Sequence, residues 1–287
     1  MRYAIFTVSC PDFTPEEALD ILSKLGYEGI EWRVVDQKPS PEGTIGFWQG
    51  NRCTWPLNSF LDDAPRIRAI TEKAGMVIPN IGTYVGCDDL PGVERAMQAT
   101  VKVGAPQLRI TVPGYDGKSS YLKIVDRAIG QYRDVEALAK KSSLRAMIEI
   151  HMGNIVPSAS AAAAFARHFD PKYVGIIHDA GNMVYEGYEN YRLGCEVLGP
   201  YLGYVHVKSA AWKPVAVRPD GSAEWRCDSS PITKGTVDMT ALLRALKSVG
   251  YDGWLSFEDF STDEPLSVRV RENIAYLKKV AAQVASE

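Results

Sequence analysis

Two hydrophobic periods alternate along the chain. Short apolar runs rich in β-branched and aromatic residues recur at 3–9, 29–35, 76–81, 107–112, 145–151, 174–179, 203–207 and 253–258, and each predicts a strand. Between them, apolar residues recur three and four apart over 63–74, 91–103, 121–141, 158–168, 188–198 and 239–249, and again from Pro265 onward; these predict helices. The first helix carries the fullest set of signals. Thr14-Pro15-Glu16-Glu17 supplies an N-cap, a proline at the first helical position and a capping-box glutamate, Ala18, Leu19, Ile21, Leu22 and Leu25 form an apolar face, and Gly26 ends it. A strand, a helix and a strand joined by short links imply parallel pairing and a right-handed crossover. Eight strands and eight helical regions in strict alternation, with no low-complexity linker, predict one domain over 1–287: a single (β/α)8 barrel of the TIM type.

Two connections are longer than such barrels need, and both follow strands, so both are expected over the C-terminal mouth. Residues 36–61 are rich in glycine, proline and aromatics, among them Trp48 and Trp55. Residues 209–237 hold Trp212 and an apolar run, the turn Pro219-Asp220-Gly221 and a second run through Trp225, the pattern of a hairpin. Trp48, Trp55 and Trp212 are expected to line the pocket over that mouth.

The polar residues that interrupt the strands carry the chemistry. Glu149, Asp179, His206 and Glu258 each stand at the C-terminal end of one of the last four strands, and in a parallel barrel those ends converge on the mouth where active sites sit. Each could be a hydrogen-bonded core polar, but four together are harder to explain that way, because every buried charge needs a partner. Two glutamates, an aspartate and a histidine form an oxygen and nitrogen donor set for one divalent metal ion, with Mn²⁺ favoured, Mg²⁺ and Co²⁺ suitable, and Zn²⁺ less so without a thiolate. If 145–151 is all strand, His151 shares a face with Glu149. Lys208, two residues past His206, would reach a substrate oxygen. Arg109 would meet a substrate hydroxyl or carboxylate, or form a salt bridge with Glu31. In Glu31-Trp32-Arg33 either the charged pair or the tryptophan faces the barrel interior.

Charge and composition then remove alternatives. Lysine and arginine total 32 against 35 acids, and no basic run exceeds two residues, so a nucleic-acid partner is not expected. Only four histidines are present, few for a centre that holds several metal ions through histidine. Five scattered cysteines without a C-x-x-C spacing read as reduced thiols. No apolar run approaches 18 residues and no leader pattern opens the chain, so a cytoplasmic location away from membranes is expected. Aromatic-rich loops at the mouth favour a homo-oligomer.

The segments 148–153 (Ile-Glu-Ile-His-Met-Gly), 175–182 (Gly-Ile-Ile-His-Asp-Ala-Gly-Asn), 205–208 (Val-His-Val-Lys) and 255–259 (Leu-Ser-Phe-Glu-Asp) resemble those of the sugar phosphate isomerase/epimerase family, the xylose isomerase-like TIM barrels. Residues 29–33 and 231–238 are similar to that family's second strand and to its segment before the seventh helix, so the likeness spans nearly the whole chain. The resemblance implies that Glu149, Asp179, His206 and Glu258 bind the metal and that the two glutamates double as catalytic acid and base. It also implies that His151 contacts substrate or supports the residues that do. Asn182 stands where the epimerase branch commonly carries a histidine and so would face the substrate, and Thr233-Lys234 replace a glycine-glutamate pair. The implied activity is isomerisation or epimerisation of a small carbohydrate or polyol ketone by proton abstraction next to a carbonyl, through a metal-stabilised enediolate. A lyase on the same scaffold, of the inosose dehydratase or keto-glycoside-cleaving kind, and a non-catalytic partner subunit are the alternatives.

Overall fold

The computed structural model describes residues 1–287, the side chain of Glu42 excepted. Its strands are β1 (Arg2–Phe6), β2 (Gly29–Val34), the two-residue β3 (Thr54–Trp55), β4 (Ile81–Thr83), β5 (Gln107–Arg109), β6 (Arg145–Glu149), β7 (Val174–Asp179), β8 (Leu202–Val207), β9 (Ala210–Val217), β10 (Ala223–Ser229) and β11 (Trp254–Phe257). The helices are α1 (Pro15–Leu25), α2 (Phe60–Lys73), α3 (Leu90–Val103), α4 (Tyr121–Ser142), α5 (Ala159–Ala166), α6 (Ala180–Tyr185), α7 (Tyr191–Leu198), α8 (Met239–Ser248) and α9 (Leu266–Ala285). At α1 the capping box forms as its residues require: Glu17 N–H donates to Thr14 Oγ1 at 3.3 Å, and Thr14 N–H donates to Glu17 Oε2 at 2.7 Å.

Parallel pairing runs β1-β2-β4-β5-β6-β7-β8-β11, and β11 pairs back onto β1, which closes the eight-stranded (β/α)8 barrel. β3 adds a short parallel edge to β2, while β9 and β10 form an antiparallel hairpin of their own with a bulge at Glu224/Trp225.

The period of two sorts each strand's side chains between two environments. Ile148, Ile176, Val205, Leu255 and Phe257 face outward into the main core shared with the helices. Ala4, Met147, Ile177, Tyr204 and Trp254 form a second, separate apolar cluster. One step further along the same inward faces stand Phe6, Glu149, Asp179, His206 and Ser256. The closed sheet is therefore filled below by apolar side chains and above by polar ones.

The structure departs from the sequence expectation in several places. The run 76–81 is not a strand over its length: Val77 makes an isolated bridge to Gly29 and pairing proper begins at Ile81, because Pro79 lacks the N–H a ladder needs. β6 ends at Glu149, so Ile150 and His151 lie off the strand. Helix α6 was not expected, and α7 starts at Tyr191 rather than 188. Trp32 settles the orientation of β2. It is buried outside the barrel, where its indole N–H donates to Thr71 Oγ1 at 3.1 Å and its ring meets Trp55 edge-on at 5.9 Å. Glu31 and Arg33 therefore point inward, and Trp55, expected at the mouth, is packed behind the barrel wall. His178 faces outward as a packing residue, and burial pushes its imidazole down to about 4. Among the described residues no helix is long and apolar enough to cross a membrane.

Candidate metal centre

Glu149 at the end of β6, Asp179 at the end of β7, His206 within β8 and Glu258 just past β11 are all buried, and one donor atom of each lies within 4.8 Å of the others. His206 Nδ1 is the shared point. It lies 3.0 Å from Glu149 Oε1, 3.7 Å from Asp179 Oδ2 and 3.9 Å from Glu258 Oε2.

The other ring nitrogen fixes the imidazole from behind. His206 Nε2 stands 3.2 Å from Glu31 Oε2, and Glu31 also accepts from Ser256 Oγ and Asn80 Nδ2, both at 2.8 Å. A proton held on Nε2 by Glu31 leaves the Nδ1 lone pair for a cation, as carboxylate partners of metal-binding histidines do. The stacked ring of Phe6, 5.7 Å away, limits rotation.

Each glutamate has its own cation. Arg109 donates from Nη1 to Glu149 Oε2 and from Nε to the Thr83 carbonyl at 2.9 Å. The salt bridge to Glu31 considered for Arg109 does not form, because Glu31 is engaged by His206, Ser256 and Asn80. Lys208, although beyond β8, turns its ammonium inward and donates at 2.8 Å to both Glu258 Oε2 and Asn182 Oδ1. Asn182 in turn donates to Asp179 Oδ2 at 2.9 Å and to the Ile150 carbonyl at 3.1 Å. Helix α6 makes this possible. Asp179 Oδ1 caps it by accepting from Asn182 N–H at 2.8 Å, and only glycine fits at 181, where a Cβ would stand 2.5 Å from Lys208 Cγ.

Burial opposes the charged forms, and pairing decides the outcome. For Glu149 the nearby Arg109 and His206 outweigh desolvation and hold its carboxyl well below the usual range. Glu258 goes the other way: burial, with Glu149 and Asp179 adding to it, raises its carboxyl despite Lys208 and His206. For His206 burial is overcome by Glu31, Asp179 and Glu149, and the imidazole is held well above its ordinary value. Four carboxylates, Glu31 included, thus face two permanent cations and the His206 imidazole, and once His206 gives up its proton the excess is two negative charges. A divalent ion matches that excess with His206 neutral. Its bonds of roughly 2.0–2.6 Å would also set opposed donors up to about 5 Å apart, consistent with the spread found. The residues fit such an ion.

Above the cluster opens a cavity of about 430 Å³ lined by Glu149, Glu258, Lys208, Arg109, His151, Trp48 and Tyr84, among others. The geometry thus brings Arg109, Lys208 and His151 to one space. His151 does so from the loop after β6, with Nδ1 at 2.7 Å from the Met152 carbonyl, not from the face of a strand. Asn182 lies beneath, bracing Lys208 and Asp179. Trp212 is not among the lining residues; its indole N–H donates to the Val184 carbonyl at 2.8 Å and it is 47% exposed. Sequence reasoning missed the roles of Glu31, Ser256 and Tyr84. Glu31 could have been found, since a histidine expected to bind metal needs an acid at its far nitrogen and Glu31 is the spare inward candidate.

The fold is shared with proteins of low sequence identity. 3-Keto-D-glucoside 4-epimerase YcjR from E. coli superposes with a TM-score of 0.72 at 16% identity, over 97% of this chain and 99% of that one. The probable 3-DHS dehydratase AsbF from Bacillus anthracis gives 0.72 at 14% identity over 97% and 99%. The IOLI protein, solved with a binding zinc atom, gives 0.72 at 16% identity over 100% and 98%. None of the curated proteins matches the sequence. Residues 19–280 match the sequence profile described as Xylose isomerase-like TIM barrel, and with the closed barrel and its four-residue cluster the chain belongs to that family.

Proposed function

We propose that the protein is a divalent-metal-dependent isomerase or epimerase of a sugar or polyol ketone, with Mn²⁺ the favoured ion. The four donors converging on His206 Nδ1, with two negative charges in excess when the imidazole is neutral, carry this reading, because a buried set of this kind is costly without a cation. Similarity in fold to an epimerase and to a zinc-containing protein supports it. When bound, the ion would act as a Lewis acid on the substrate carbonyl and stabilise the enediolate.

The chain's own residues do the rest. Glu149, Asp179, His206 and Glu258 would hold the ion. Glu149, kept ionised by Arg109, is the base that removes a proton from the carbon next to the carbonyl. Glu258, its carboxyl raised by burial, takes a proton from solvent and returns it to the carbon, and Glu149 releases its own to solvent. Arg109, Lys208 and His151 would bind substrate oxygens, and the Trp48 ring would cover the sugar face and exclude water. A lyase is the second reading. Lys208 sets N–H donors on the Glu258 side of the cavity, where they would hydrogen-bond a departing hydroxyl.

Solvent deuterium decides between them. Mn²⁺-loaded protein in deuterated water, offered ketoses, keto-glycosides and inososes, should place deuterium at the carbon next to the carbonyl of substrate or product; a lyase would release water or a fragment. If neither is seen with any compound, the catalytic reading is wrong and the partner-subunit alternative replaces it.

A further inference from the structure

A second cavity of about 560 Å³ lies beside the central one, between the loop after β5 and the start of α4. The two share Gly114 and Gly153, which join their loops through Tyr115 N–H donating to the Gly153 carbonyl at 2.8 Å. Neither shared residue has a side chain to wall one space from the other. Gly153 has φ +75° and suits glycine for that reason alone; Gly114 has no such constraint. The lining beyond this low lip mixes donors and acceptors: Asp116, Ser119, Ser120, Lys123 and Arg127.

Neutral hydroxyl groups both donate and accept, so a lining of serine hydroxyls, two cations and a carboxylate matches a polyhydroxylated unit. Each cavity falls within the roughly 300–1,000 Å³ usual for a small-molecule site, so the pair offers more room than a single ring needs. We infer that the substrate is a glycoside of at least two units: the reacting ring lies over the His206 cluster, and a second neutral sugar or polyol unit crosses Gly114 and Gly153 into the outer groove. This rests on the mouth being a site for a carbonyl sugar or polyol, and it adds the substrate's length and the chemistry of its second unit.

The test is binding, measured by calorimetry on metal-loaded protein with methyl β-D-glucoside against cellobiose and methyl α-D-glucoside against maltose. In at least one pair the disaccharide should bind about ten-fold or more tightly. Gly114→Val raises the lip, and its Cβ, 3.4 Å from the Gly153 carbonyl oxygen, has room. It should remove the disaccharide's advantage. Lys123→Met combined with Arg127→Met, which line the outer groove and not the central cavity, should remove that advantage while leaving the affinity of the single ring unchanged, and serves if the first variant does not fold. No disaccharide advantage in either pair, or an advantage that survives these substitutions, overturns the inference. Deuterium exchange is read separately, so loss of the proposed chemistry and loss of the groove are distinguishable.

Discussion

The barrel interior is two regions built on the same strands. Below, Met147, Ile177, Tyr204 and Trp254 pack without charge; two residues further along three of these strands, Glu149, Asp179 and His206 crowd four carboxylates around one imidazole together with Glu31 and Glu258. The lower layer gains stability from apolar burial, about 25 cal/mol per Å² removed from water. The upper layer holds buried negative charge in excess of its cations, a state that favours binding a metal over stabilising the empty fold. One layer keeps the barrel closed and the other uses that rigidity.

The comparison breaks most sharply at the glutamates. Glu149→Gln and Glu258→Gln keep the shape and remove the base, and turnover should fall by about 10²–10⁴. Glu258→Gln should leave the thermal midpoint of the metal-free protein unchanged or higher, because it removes one of the excess charges; kcat, metal content and Tm on the same sample check this. Met147→Ala is the converse. It should cost about 2–5 kcal/mol in a denaturant melt while one ion per folded chain still binds. A loss of metal comparable to that of Glu149→Gln would dissolve the distinction between the layers.

Glu31→Gln tests the support behind His206. Metal affinity should drop about 10–100-fold with little change in KM once the site is saturated. Acidity gives the smallest effect. The folded value of His206 is raised above its unfolded value of about 6.5, so in metal-free protein its proton stabilises the fold fully below about pH 6.5, and that contribution is lost as pH rises through the folded value. A metal must displace the Nδ1 proton, so metal affinity should fall as pH falls, by up to about ten-fold per unit. Calorimetry at two pH values, in buffers of different ionisation enthalpy, should record proton release on binding. Binding without release would mean that His206 is already neutral.

The alternation of periods was enough to read the barrel and the four residues at its strand ends, because both depend on local spacing. Where spacing alone was used for direction, the result was mixed. His151 was assigned to the face of Glu149 on the assumption of a continuous strand, yet β6 stops at Glu149 and a loop brings His151 to the cavity instead. Trp32 and Glu31 could not be told apart by alternation, since both faces of a barrel strand are buried. Tertiary pairing decided them: Thr71 and Trp55 take the indole, His206 takes the acid. Helix α6 escaped notice because Ala-Gly-Asn has no apolar period, and its formation depends on Asp179 as a cap and on the closeness of Lys208.

The strand that closes the barrel is also the one that leads into the last donor. β11 joins β8 to β1, although β1 lies about 250 residues before it in the chain, and Glu258 follows β11 directly. A chain emerging during synthesis therefore holds Glu149, Asp179 and His206 well before it can present all four. Contacts between such distant segments form slowly. The complete set of four donors therefore exists only once the barrel has closed.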